Sequence, residues 1–188
     1  MTNQKDTYYI RQVIKGDSNA FAYLVEKYKS MVFTLAVKIL KDPEEAEEVA
    51  QDVFVKSYQS LSGFKGKSKF ATWLYSITYN ACMDVIKRKK KYVAAEAITV
   101  LKDAGTAAEE DALHLLMKDD RNKAINQTIE KLPEEDRTII WLYYFEELTL
   151  KEIAKVVNLS VANIKVKLHR SRKRLYSLLE HHVLIREE

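Results

Sequence analysis

Trp73, Asn80, Asp84 and Lys87 follow one another at spacings of seven, four and three. At roughly 100° per residue they fall on one stripe of a helix. An aromatic plate can stack on a base, an amide can hydrogen-bond its edge, and a cation can hold a phosphate. A packed tryptophan with solvated polar neighbours fits the same residues, and the stretch alone does not choose. It opens as an amphipathic helix, KFATWLYSITYN, with Phe70, Leu74, Ile77, Ala81 and Val85 on the core face. It closes in five adjacent cations at residues 87–91.

A second concentration of cations lies far along the chain. Lys165, Lys167, Arg170, Arg172, Lys173 and Arg174 fall close together with no acid among them. Between the two, residues 92–120 hold seven acids against two lysines. Two basic surfaces joined by an acidic connector suit two contacts on one polyanion better than scattered solvated faces.

The elements that must carry these surfaces are helical. Four glycines and two prolines in 188 residues, with abundant Glu, Lys, Leu and Ala, predict an all-α protein. No run reaches the roughly 18 apolar residues of a membrane span, so no membrane insertion is expected. The N-terminus does not read as a signal peptide. The single cysteine, Cys82, forms no internal disulfide and suits a reducing cytoplasm. Catalysis is not expected. His114, His169, His181 and His182 form no HExxH pattern, cysteine pairs are absent, and no nucleophile motif or Walker loop occurs. No cofactor and no metal site follow from the sequence.

In chain order, a first helix over residues 5–15 stops at Gly16, and Asp17 is placed to cap the next. That helix packs through Phe21, Leu24, Val25, Tyr28, Val32, Leu35 and Ile39. Asp42-Pro43-Glu44-Glu45 is a strong helix start. The helix it opens is expected to bury Ala46, Val49, Ala50, Val53 and Tyr58. Its other side is acidic, with Glu44, Glu45, Glu47, Glu48 and Asp52, and should face solvent or a basic protein partner. SGFKGKS, residues 62–68, is a loop whose glycines permit close approach of a ligand. It reads as a pocket wall for a base or as an ordinary turn.

Residues 92–110 lose the amphipathic period and read as a flexible acidic linker. Leu113, Leu116, Ile125 and Ile129 are expected to form a core stripe beyond it. Leu132-Pro133-Glu134-Glu135-Asp136 restarts a helix with Ile139, Ile140, Leu142, Tyr143 and Phe145. Thr149-Leu150-Lys151-Glu152 fits a capping box. A short helix with Ile153 and Ala154 inward then meets Asn158, and Ser160 caps a long basic helix. Short helix, tight turn and capped basic helix make a helix-turn-helix over residues 150–172.

Four blocks resemble, in order, a bacterial RNA polymerase sigma factor of the extracytoplasmic-function (ECF) group of the sigma-70 family. They are Gly16-Asp17 to Tyr28; Ala46-Glu47-Glu48-Val49-Ala50-Gln51-Asp52-Val53-Phe54; Phe70-Ala71-Thr72-Trp73-Leu74 with Asn80, Asp84 and Lys87-Arg88; and Leu132-Pro133-Glu134 with Glu146 to Arg172. The resemblance implies two small helical domains. Residues 1–91 would be a region 2-like bundle that binds core polymerase and melts the −10 element. Residues 92–110 would be the linker, and residues 111–188 a region 4-like domain that reads the −35 element.

By the same resemblance Glu48, Gln51, Asp52 and Phe54 dock on polymerase, and Phe64, the loop with Lys65, Lys67 and Lys69, Ile77 and Asn80 form a pocket for a flipped base. Trp73, Lys87 and Arg88 complete that surface. Asn163, Lys165, Val166, His169 and Arg170 are expected at or near base edges, and Lys167, Arg172, Lys173 and Arg174 at phosphates. Ala162-Asn163 stands in place of the usual Gly-Thr pair, Val166 replaces a commoner small polar residue, and Tyr143 stands where relatives offer a cation. These departures leave the promoter sequence open. The implied partners are core RNA polymerase and promoter DNA, with an anti-sigma factor as a further one, in the cytoplasm. The rival expectation is a helix-turn-helix regulator that binds duplex DNA without polymerase. It leaves the acidic helix and residues 69–91 without a role.

Overall fold

The computed structural model describes residues 4–96 and 119–184. Every regular element among the described residues is helical. Helix α1 (Gln4–Ile14) ends at Gly16, whose φ of 104° turns the chain back. The Asp17 carboxylate accepts from the Asn19 amide at 3.1 Å. It therefore caps a single 3-10 turn (Ser18–Ala20), and α2 (Phe21–Leu40) starts only after that turn. A buried carboxylate fastens α1 onto α2. Asp6, 2% exposed, accepts from the Lys27 ammonium and, at 2.8 Å, from the Tyr28 hydroxyl. A charge so enclosed is tolerated only with partners of this kind. Burial first, and the bond to Asp6 second, push the Tyr28 hydroxyl well above its usual range.

Helix α2 stops at Lys41, which adopts a left-handed φ of 62° and bonds back to the Val37 carbonyl. The Asp42 carboxylate then accepts from the Glu44 and Glu45 amides, with Pro43 opening α3 (Pro43–Ser60). Leu24, Val32, Leu35, Val53 and Leu74 are fully enclosed where α2, α3 and α4 meet. Each such side chain contributes roughly 1.5–3 kcal/mol relative to exposure. Tyr58, expected inside, is 42% exposed, because the stripe Ala46, Val49, Val53 continues at Ser57. Ser57 is buried and donates its hydroxyl to the Phe54 carbonyl, while the Tyr58 ring lies edge-on to Phe21.

Helix α4 (Phe70–Glu96) is the longest element and runs straight through the basic residues 87–91. The cations are thus displayed on a helix, and the regular structure continues into the first residues expected as linker. The rest of that linker, and Leu113 and Leu116, lie outside the described residues.

The second bundle comprises α5 (Asp119–Glu130), α6 (Glu134–Tyr144), α7 (Leu150–Val156) and α8 (Val161–Leu184). Ile129 is buried, but Ile125, one turn earlier, is 39% exposed and lies at the rim. Both bonds of the capping box form, from the Glu152 amide to the Thr149 hydroxyl and from the Thr149 amide to the Glu152 carboxylate. Asn158 makes the turn at φ 54°, and the Ser160 hydroxyl accepts from the Asn163 amide at 3.1 Å. Ile153, Ala154, Ile164 and Leu168 close the helix-turn-helix. The two bundles touch, α4 against α7 and α2 against α6.

Candidate nucleic-acid interface

Helix α4 is buried on two faces. Phe70, Leu74, Thr78, Ala81 and Val85 lie within the first bundle. Thr72, Tyr75, Tyr79 and Cys82 are buried as well. At ~100° per residue, this second set sits well round the helix from the first. It faces the second bundle, because Tyr75 donates to the Glu146 carboxylate and Thr72 to that of Glu152. Burial and the bond to Glu146 hold the Tyr75 hydroxyl far above its usual range. Burial, with Glu135 nearby, pushes that of Tyr79 up to about 12. Burial likewise raises the Cys82 thiol to about 12, which leaves it a packing residue.

Between these faces runs a narrow strip. Asn80, Asp84, Lys87 and Arg88 are exposed along it, and Trp73 and Ile77 are half-buried. Trp73 is one of three clustered rings, with centroids 5.1 Å from Phe64 and 5.5 Å from Phe70, and Phe64 itself meets Phe70 edge-on. The Phe64 and Trp73 rings hold the root of the loop in which Lys65, Lys67 and Lys69 are exposed. Gly66 supplies a φ of 67° there. The structure thus brings the loop cations, two half-buried aromatics, Ile77 and the Asn80 amide onto one edge. Lys69 also pairs with Glu152 at 3.2 Å.

The acidic side of α3 faces outward. Glu48, Gln51 and Asp52 are exposed and Phe54 is half-buried. Glu45, Glu48 and Asp52 line an open groove of about 450 Å³ whose opposite wall is Val85, Arg88, Lys89 and Tyr92 of α4. Lys89 crosses it to Glu45 at 2.7 Å.

On α8, Asn163, Lys165, Val166, His169, Arg170, Lys173 and Arg174 are exposed. Two of the expected phosphate anchors have partners inside the domain. Lys167 is half-buried and bridges Glu135 at 2.6 Å and Asp136 at 2.9 Å. Burial opposes its charge, but the two carboxylates outweigh it and raise its pKa. Arg172 donates to the Tyr144 hydroxyl at 2.7 Å and lies over the Tyr143 and Tyr144 rings at 5.4 and 5.5 Å. Sequence reasoning did not foresee either tie, nor the seam formed by Tyr75, Glu146 and Glu152. The signal for the seam exists: Thr72, Tyr75, Tyr79, Cys82 and Ile86 recur at three-four spacing. It was masked because two of these are tyrosines and one a threonine. Among the described residues no cluster of His, Cys, Asp or Glu fits a metal ion. No helix among them is long and apolar enough to cross a membrane.

Comparison with known proteins gives this geometry a family. Residues 24–92, covering α2 to most of α4, match the model described as Sigma-70 region 2, and residues 122–175 match that of Sigma-70, region 4. The chain is 37% identical over 175 residues to the ECF RNA polymerase sigma factor SigW of Bacillus subtilis, covering 88% of this chain and 92% of that protein. It is 31% identical over 187 residues to the RNA polymerase sigma-H factor of Pseudomonas aeruginosa, covering 96% of each. Among solved structures, that of CnrH in complex with the cytosolic domain of CnrY superposes with a TM-score of 0.66 at 22% identity, covering 95% of this chain and 99% of that one. The sigma factor RpoE in complex with the anti-sigma factor NepR from Bartonella quintana gives 0.66 at 18%, covering 85% and 96%. These two speak for the all-helical fold. With both modules in order along nearly the full length of its relatives, the chain belongs to the sigma-70 family of bacterial RNA polymerase sigma factors, in its extracytoplasmic-function group.

Proposed function

We propose that this sigma factor recruits core RNA polymerase to particular promoters and melts the −10 element, acting by contact and not by catalysis. One observation carries the reading: the chain displays two separate cationic surfaces, the α4 strip and the face of α8, beside an acidic helix that DNA would repel. Glu48, Gln51, Asp52 and Phe54 dock on basic helices of polymerase, which explains why acids stand next to a DNA surface. A base leaving the duplex stacks against the Phe64–Trp73 edge, and Asn80 reads it. Stacking worth roughly 1–3 kcal/mol offsets part of the unpairing cost. Lys65, Lys67, Lys87 and Arg88 hold the strand.

The N-terminal part of α8 enters the major groove, where Asn163, Lys165, Val166, His169 and Arg170 meet the base edges. Lys173 and Arg174 anchor phosphates. Lys167 and Arg172 act chiefly by holding α8 to α6, as their partners Glu135, Asp136 and Tyr144 indicate. Residues 1–91 and 111–188 are the two working units, and residues 92–110 lie in the polymerase channel. The protein works in the cytoplasm, and an anti-sigma factor is a fitting regulator, since relatives of this fold are seen with such partners. Pull-down with core polymerase, followed by run-off transcription on a promoter library, tests the reading. Polymerase retained and discrete start sites are expected. Specific duplex binding by the protein alone, without polymerase retention, would replace it.

A further inference from the structure

Helix α8 is buried along one line, through Ile164, Leu168 and Ser171. At roughly 100° per residue, Val166 stands about 140–160° from each of these three, at the crest of the opposite side. It is 47% exposed. Ala162, one turn earlier, is exposed on the same ridge. Asn163 and Arg170 are exposed to one side of the crest, and Lys165 and His169 to the other. Farther round, Lys167 is held by Glu135 and Asp136, and Arg172 by Tyr144, so both flanks of α8 are tied to α6. The crest between those flanks is presented outward in a fixed orientation, and its central side chain is apolar. No carboxylate occurs from Val161 to Arg174.

We infer that Val166 reads a thymine: its γ-methyls pack against the C5-methyl of one thymine in the −35 element, and so set the base chosen at that position. The inference rests on the function proposed above and deepens it. In the major groove the thymine methyl is the one apolar group that a base pair presents, so an apolar side chain at the crest of a reading helix has a single complementary base. Val166 is the sixth residue of α8, within the N-terminal part that meets base edges in a helix-turn-helix. Its neighbours sharpen the choice. Thymine also offers the O4 acceptor, and Lys165 and Arg170 beside Val166 are donors. Cytosine offers an N4 amino donor in the same place, and this stretch of helix has no carboxylate to accept from it. Local structure gives no other reason for the residue. Valine is a poorer helix former than the lysines and arginines around it, and at its exposure it adds little to the core. Its branched side chain holds essentially one rotamer in a helix, so little freedom is lost on contact.

The test uses holoenzyme assembled from the full chain and core polymerase. Duplexes carrying a randomised −35 block ahead of a fixed promoter body are selected on it. Each thymine of the recovered block is then replaced in turn by deoxyuridine, which lacks only the C5-methyl. At one thymine the wild type should lose about fourfold in affinity at fixed salt, the factor expected for one methyl left in water. Cytosine there should cost at least about tenfold. Val166→Ser removes both γ-methyls at similar helix propensity, and with it thymine and uracil at that position should bind within about 1.5-fold of each other. Val166→Ile keeps the apolar crest and should keep the preference. The same two duplexes meet each variant, so any effect of the missing methyl on the DNA itself cancels in the comparison. Uracil that costs wild type and Val166→Ser alike, or that costs neither at every thymine, overturns the assignment, as does a recovered block that fixes no thymine. Polymerase retention and start sites are read on the unmodified duplex, so each of these results is distinct from a failure of the sigma-factor reading.

Discussion

Helix α4 is buried twice, and its two faces are built differently. Against α2 and α3 it presents the apolar Phe70, Leu74, Ala81 and Val85, with one buried Thr78 whose hydroxyl bonds within the helix to the Leu74 carbonyl. Against the second bundle it presents Thr72 and Tyr75, which donate to the carboxylates of Glu152 and Glu146, together with the buried Tyr79 and Cys82. Apolar burial gains from every atom removed from water and offers no competing partner in solvent. Hydrogen bonds and ion pairs exchange for bonds to water at a net of about 1 kcal/mol each. One face therefore rests on apolar burial and the other on exchangeable polar contacts as well, and the strip proposed to meet DNA runs between them. A single helix thus joins the core of the first bundle, packs against the second and carries the proposed DNA surface.

The sharpest way to break this comparison is at the apolar face. Leu74→Ala should cost ~2–5 kcal/mol and lower the thermal midpoint of the first bundle. A loss no larger than that of Tyr75→Phe would erase the distinction between the faces. At the strip, Asn80→Ala should slow open-complex formation at a cognate promoter about tenfold, consistent with ~1–3 kcal/mol for a base-edge contact. Core polymerase affinity should hold in a binding titration, and equal loss of both would take Asn80 out of the DNA surface.

On the other domain, Lys165→Ala and Arg170→Ala should each weaken −35 duplex binding within the same range, measured by anisotropy at fixed salt. Unchanged binding for both would move the reading helix. Smaller still, Thr149→Ala removes the cap that also orients Glu152. It should cost ~0.5–2 kcal/mol in a denaturant titration and loosen the seam.

The smallest effect is set by pH. Burial raises the Glu152 carboxyl, but hydrogen bonds from Thr149 and the nearby Lys69 ammonium outweigh it and lower its pKa overall. A lowered folded-state pKa means that its stabilisation is complete above the unfolded value of about 4.3 and fades as pH falls through the folded one. Small-angle scattering below that value should show the seam opening before the circular dichroism of the bundles is lost. Simultaneous loss would class the seam with the apolar face.

How far the chain was legible before folding depends on the kind of interaction. Capping was readable residue by residue: Asp42 and Thr149 act on amides two or three positions away, so local spacing suffices. The three-helix core was readable for the same reason, save Tyr58, where a serine continued the stripe. The ties of Lys167 and Arg172 to α6 were not legible, because their partners lie some 30 residues away in the chain. Charge says that a side chain wants an anion and does not say which one.

Composition, periodicity and capping chemistry by themselves determined that this chain is helical, that it carries a capped basic helix-turn-helix, and that a second basic helix precedes an acidic connector. These are short-range properties, set by a few neighbouring dihedrals and by side chains within one turn. Only the tertiary structure decided that α4 has a second buried face, and that Glu146 and Glu152 close against Tyr75, Thr72 and Lys69. Those contacts join residues 71 to 83 positions apart. No local pattern specifies such a pairing, because a tyrosine or threonine at helical spacing packs or solvates according to what the rest of the chain brings to it.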